Sequence, residues 1–247
     1  MRRVRLATAV ALIACGIDGV GGAWEFRGVD TAAAQQVVPE GAPNDIFRSM
    51  ILSAITRSPG DTLGNSVYLA AQRAFFNGDL DSATTQAQAF VNAYTRNLNM
   101  NDALELILLV RDFRDFQDQP LKSYARVLAL REGAHPDSAA ALAAATLERW
   151  PGARVRYHVQ FQLAEMARDR GDHAAAVTHA LAVADSSSKS RLAPAALKLA
   201  GDETIAMGQG PDRALKIYQE LLERYPNSPL APGVRVQVLE MRKKLQL

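Results

Sequence analysis

The sequence predicts an all-α protein, a solenoid of helical hairpins closed by a C-terminal capping helix. Three observations carry that prediction. From Asn44 onward apolar residues recur at helical spacing, and almost no stretch alternates apolar and polar residues for long enough to make a strand. In the second half three segments resemble one another: DSAAALAAATLERWP (137–151), DHAAAVTHALAVADS (172–186) and DRALKIYQELLERYP (212–226). They place Ala139, Ala176 and Ala214 at one early position, 37 and 38 residues apart, and each follows a helix and a glycine turn at Gly133, at Gly171, and at Gly208 with Gly210. A period in the thirties built from two helices and two turns belongs to stacked hairpins, none of which buries its apolar face alone.

The chain has 247 residues, 48% hydrophobic and 22% charged, enough for a sizeable core and incompatible with global disorder. A single cysteine excludes a disulfide framework, a four-cysteine zinc site and an iron–sulfur cluster. The net charge is +2, but three positive charges are Arg2, Arg3 and Arg5, so the rest of the chain carries −1. That body lacks the Lys/Arg surplus of a nucleic-acid-binding protein.

Residues 1–15 read as an export signal. A basic start is followed by the apolar run Leu6–Ala14, too short to span a bilayer, and then by Leu12-Ile13-Ala14-Cys15. This order resembles a bacterial lipobox, in which the cysteine thiol takes the lipid and a small residue precedes it; Ile13 is bulkier than usual there. Cleavage near Ala32-Ala33-Ala34 is the rival, opposed by Asp18, Glu25, Arg27 and Asp30 upstream of it. The alternative is a cytoplasmic protein with an apolar N-terminal stub. Residues 16–43, rich in Gly, Ala and Gln and ending in Pro-Glu-Gly-Ala-Pro, read as a flexible tether to a repeat domain over 44–247.

In that domain Asn44 or Asp45 is expected to cap a first helix with Ile46, Phe47, Met50, Ile51 and Ile55, ending near Ser58-Pro59-Gly60. A second helix, with Val67, Ala70, Ala71 and Ala74, stops at Asn77-Gly78. Asp79 or Asp81 opens a third, with Ala83, Ala87, Phe90 and Tyr94 on one face. A fourth begins at Asn101 or Asp102 and is nearly all apolar from Leu104 to Val110, which predicts burial on most sides. Ala83 and Ala139 are 56 residues apart, and this extra helix fills the gap.

Within the repeats, small alanines let paired helices approach closely, while Leu163, Leu199, Tyr218 and Leu221 fill the space between hairpins. The glycine ends the first helix in the left-handed conformation and the aspartate caps the second. Pro151 and Pro226 force the next turn. Val234, Val238, Met241 and Leu245 share one face of the last helix, the expected cap, and Arg242, Lys243 and Lys244 suit its C-terminal dipole.

Gly171-Asp172 with Ala176, then Ala214, Tyr218, Leu221 and Pro226, and Gly78-Asp79 with Ala83, resemble the tetratricopeptide repeat family over about residues 64–228. An extra residue in Gln209-Gly210-Pro211 and the missing proline after Ser186 depart from its pattern. The style of ERYPNSPLAP followed by VRVQVLEMRKKL is similar to repeats of bacterial envelope proteins, such as the periplasmic coordinator of the Tol–Pal system and the lipoprotein partner of the outer-membrane barrel assembly machinery. The resemblance implies a right-handed superhelix that works as a protein-binding scaffold facing the periplasm, without cofactor or metal, and touching a membrane only through a lipid on Cys15.

The sequence carries no phosphate-binding loop, GxSxG, HExxH or CxxC motif. His173 and His179 lie on different helix faces, and Asp112, Asp115 and Asp118 alternate with Arg111 and Arg114, which reads as an ion-paired surface. No catalytic residue is assigned. The repeat template turns Tyr68, Gln72, Phe75, Lys122, Arg126, Phe161, Glu165, Arg168, Lys198 and Asp202 toward the concave face lined by the first helices. Aromatics beside Arg and Lys there predict an extended peptide of another envelope protein, held through its carboxylates. The rival is a structural subunit of an outer-membrane assembly.

Overall fold

A computed structural model of the chain describes residues 61–186, 191–208 and 211–245. The export signal, Cys15, the tether and the helix expected at 45–58 lie outside the described residues, as does Gln209-Gly210. Among the described residues there are ten α-helices and no strand: α1 Thr62–Phe76, α2 Leu80–Ala93, α3 Met100–Phe113, α4 Gln119–Glu132, α5 Pro136–Arg149, α6 Arg156–Asp169, α7 His173–Ser186, α8 Ala193–Ala206, α9 Pro211–Arg224 and α10 Ala231–Leu245. None is long and apolar enough to cross a membrane.

Almost every helix packs on the next. The exception lies between α3 and α4, where α4 returns to pack on α1 and then on α6. Hairpins α1–α2, α4–α5, α6–α7 and α8–α9 thus form the helical-repeat-like architecture, with α3 inserted after the first. Ala83, Ala139, Ala176 and Ala214 are all fully buried, as expected of positions where helices cross closely. One apolar core runs from Tyr68 to Met166 and a second from Ala164 to Val238, so α6 contributes to both. Tyr68 and Tyr94 flank Phe90 with ring centroids 5.6 Å away in each case, joining α1 to α2.

The turns show how the sequence sets the hairpins. After α1 the amide of Gly78 donates to Phe75 and that of Asp79 to Ala74, with Gly78 at φ 77°. The same pair of bonds follows α6, with Gly171 at φ 74°. After α4 the bonds recur, but Gly133 has φ −77° and Ala134 takes the left-handed position at φ 59°. The expected glycine stands one residue early. Ala134→Gly should relieve the Cβ clash and raise stability by about 1 kcal/mol, read as a higher thermal midpoint.

Asp79 and Asp172 cap their helices, accepting from the amides of Ser82 and Ala175 at 3.0 Å in each case. Asp137 does not cap, contrary to expectation: His135 holds that position, and Pro136 begins α5 because it has no N–H to satisfy and a preset φ. Pro211 likewise begins α9, leaving Asp212 in the first turn, where its charge still favours the helix dipole.

Candidate functional site: a cavity between α3 and the first helices of the hairpins

The inserted helix does not lie buried on most sides. Ala103, Leu106 and Val110 are buried, but Glu105 is exposed, Leu104 is 39% exposed, and Ile107, Leu108 and Leu109 are half-buried. The reason is its position. One face packs on α2, and an adjoining face, sharing Leu106, looks across an opening toward α1, α4 and α6.

Two devices fix that position. At its start Asn97 and Asn99, both buried, donate their side-chain amides to Oδ1 of Asn65 on α1 at 3.1 Å, and Asn97 also donates to Asp61 at 2.8 Å. These bonds tie the start of α3 to α1, although the side-chain oxygen of Asn99 is buried without a partner. At its end Phe116, Gln117 and Asp118 run consecutively at φ 44°, 58° and 66°. Three non-glycine residues in the left-handed region are strained, and surrounding contacts hold them. Arg114 grips Asp118 through two bonds, at 2.9 and 2.6 Å, and reaches Asp81 at 2.7 Å, while the Arg154 amide donates to Asp115 at 2.6 Å. Arg111 pairs with Asp112 at 2.6 Å and holds its carboxyl below the usual range. The aspartate series is thus tied into backbone and ion pairs.

Between these ends lies a cavity of about 820 Å³. Tyr68, Gln72, Phe75 and Phe76 line it from α1; Leu106, Leu108, Leu109 and Phe113 from α3; Tyr124 and Leu128 from α4; Tyr157, His158 and Phe161 from α6; and Leu192 just before α8. The His158 ring meets Phe113 at 4.4 Å and Tyr124 at 5.9 Å, both edge-on. Burial holds its pKa at about 4, so it is neutral at pH 7. Gln72 donates to the Tyr68 hydroxyl at 2.7 Å, and that hydroxyl stands 3.5 Å from Asp102 across the opening. The charged lining residues are Asp102, Glu105, Asp112, Glu132 and Arg191.

Of the ten concave-face residues expected from the sequence, Tyr68, Gln72, Phe75 and Phe161 meet in this cavity and six stand elsewhere. Lys122 packs its stem over Gly78, near Asp79 and Asp118. Arg126 is buried at 5% exposure, which lowers its affinity for a proton. On α4 the cavity-facing positions are Tyr124, Leu128 and Glu132; Arg126 is two residues out of phase, about 200° around the helix, and points the other way.

Glu165 is engaged from α4: Arg131 donates to it at 2.6 Å, to Gln162 at 2.6 Å and to Asp169 at 3.2 Å. Burial works against the Arg131 charge, yet Glu165 and Asp169 hold its pKa above the ordinary value. Arg168 is exposed, two turns beyond Phe161, with its guanidinium on Asp169 at 2.9 Å. Lys198 donates to Asp202 at 2.6 Å, and the Tyr218 hydroxyl donates to the same carboxylate at 2.7 Å, which locks α9 to α8. The cations expected to meet a ligand's carboxylates therefore serve the fold or the surface, and the charged part of the cavity lining is mostly acidic.

Sequence reasoning missed the α3 wall, the α4 pair Tyr124 and Leu128, and Tyr157 and His158. The signal for α3 was present. Its apolar residues exceed what one packing face requires, and so fit a helix with two partners. His173 and His179 hydrogen-bond to neighbouring helices, the first to Glu203 at 2.6 Å and the second to Gln160 at 2.8 Å. Among the described residues no group of three or more His, Cys, Asp or Glu side chains is placed to hold a metal ion.

The fold and cavity place the chain in a class: an all-α, helical-repeat-like protein with a helix-covered apolar site. Compared with known proteins, the chain matches no protein-family model and no curated protein.

Proposed function

We propose that this protein is a non-catalytic interaction scaffold of the tetratricopeptide type, and that the cavity between α3 and α1, α4 and α6 receives a segment of another protein. The observation that carries the reading is a cavity of about 820 Å³, open on a stack of hairpins, whose aromatic and aliphatic lining is interrupted by five charged side chains. Such a site gives affinity through apolar burial and specificity through a few charges at its edge. The sequence at 1–15 supports placement in a bacterial envelope, facing the periplasm, with Cys15 as lipid anchor and residues 16–43 as tether. The partner on this reading is another envelope protein.

Phe161 carries the test. Phe161→Ala should weaken capture of the partner from detergent-solubilised membranes by more than about tenfold, equivalent to about 1.4 kcal/mol. Arg168→Ala, outside the cavity, should leave capture within about twofold, because an exposed residue ion-paired within its own helix contributes little. Both variants should retain wild-type helical content by circular dichroism. Equal capture by Phe161→Ala and wild type would remove the cavity from the binding site.

A second reading, a structural subunit of an outer-membrane assembly, draws on α10. Val236 and Leu239 are 56% and 66% exposed on that helix, an apolar pair that an assembly contact would cover.

A further inference from the structure

We propose that the segment received by the cavity is apolar and cationic: a short stretch of another protein in which Leu-, Ile- or Phe-type side chains are flanked by Lys or Arg. The inference rests on the cavity reading above and specifies its partner. Four carboxylates, those of Asp102, Glu105, Asp112 and Glu132, line the opening with one guanidinium, that of Arg191; Asp112 is already paired with Arg111, so Glu105 and Glu132 carry the proposal. His158 adds no positive charge near neutral pH. Glu105 and Glu132 are exposed, stand on α3 and α4, two walls of the opening, and make no ion pair among the described residues.

An anionic segment would bring its carboxylates against this set, whereas Lys or Arg flanking an apolar core would meet Glu105 and Glu132 as the core enters between Leu109 and Phe161. Charge complementarity of this kind sets partner choice and encounter rate, while apolar burial supplies most of the affinity. It reverses the carboxylate recognition expected from Lys122, Arg126, Arg168 and Lys198, none of which lines the cavity.

The test uses the purified full-length chain and two fluorescent peptides of about 12 residues, a length of about 18 Å if helical. They share one Leu/Phe/Ile core and are flanked by lysines in one and glutamates in the other. Fluorescence anisotropy should show the lysine peptide binding at least about tenfold tighter, with the advantage shrinking as salt rises. Glu105→Lys combined with Glu132→Lys, both at exposed positions, should erase or invert that preference, and Phe161→Ala should weaken whichever peptide binds. Equal or tighter binding of the glutamate peptide, still weakened by Phe161→Ala, would overturn the cationic assignment and leave the cavity reading standing. Binding of neither peptide, or binding indifferent to Phe161→Ala, would overturn both. A photo-crosslinker at position 161 that joins to residues 44–58 of the same chain would make that segment the occupant and overturn the assignment to a partner.

Discussion

Gly201→Ala is expected to lower the thermal midpoint by about 4–8 °C, the equivalent of about 2 kcal/mol in a chain of this size. Helix propensity alone predicts the opposite sign, since alanine in a helix interior is favoured over glycine by about 1 kcal/mol. Packing decides it. A Cβ at Gly201 would lie 2.3 Å from Cε1 and 2.8 Å from Cδ1 of Tyr218. That ring is fully buried and cannot swing aside without breaking the bond from its hydroxyl to Asp202 at 2.7 Å. Gly201 is therefore the point at which α8 and α9 cross, and it belongs with Ala214 in the set of small residues that permit hairpin packing. Tyr218→Leu in the Gly201→Ala background should recover part of the loss, so that the double variant is less destabilised than the sum of the two single ones. Melting curves for the four proteins decide this, and an unchanged or raised midpoint for Gly201→Ala would contradict the packing of α8 on α9.

The largest expected effect outside the described helices is on Cys15. If Leu12-Ile13-Ala14-Cys15 is processed as a lipobox, wild-type protein grown with a palmitate analogue carries the label and sediments with membranes, and Cys15→Ser carries none. The prediction is all-or-none, because the thiol is the only atom in the motif that takes the diacylglyceryl group. Unlabelled, soluble wild-type protein with Met1 intact would contradict both the anchor and the export.

How far the sequence reached depended on which physical rule governed each element. Hairpin boundaries follow from apolar periodicity and from residues with strong backbone preferences, so Asn77-Gly78, Gly171-Asp172 and the buried Ala139, Ala176 and Ala214 were legible one repeat at a time. Errors of one or two residues arose where two preferences compete for the same turn. Pro136 and Pro211 each begin their helix one residue ahead of the aspartate expected to cap it, and Ala134 rather than Gly133 took the left-handed turn.

The cavity was legible only in part, because its shape comes from an element the repeat template lacks. Tyr68, Gln72, Phe75 and Phe161 lie on first helices, whose register the template predicts, and these four meet. Leu108, Leu109 and Phe113 reach the site because α3 folds across that face, and this turns on the tertiary contacts of Asn65, Asn97 and Asn99 and on the left-handed run at Phe116–Asp118. Periodicity within one helix cannot reveal contacts between residues more than thirty positions apart. The misassignment of Lys122 and Arg126 has a simpler origin: a shift of two residues in α4 turns a side chain to the opposite side of the helix.

On the proposed function the covered cavity, and not the ends of the helix stack, engages a partner. Site-specific photo-crosslinking in living cells tests it most directly, with a benzoylphenylalanine placed in turn at Phe161, at Leu109 and at Val236 of the full-length chain. One discrete adduct of the same mass is expected from Phe161 and Leu109, lost when Glu105 and Glu132 are both changed to Lys, and none from Val236. Adducts from Val236 alone, with Phe161 and Leu109 silent, would contradict it and would place the interaction on the outer face of α10.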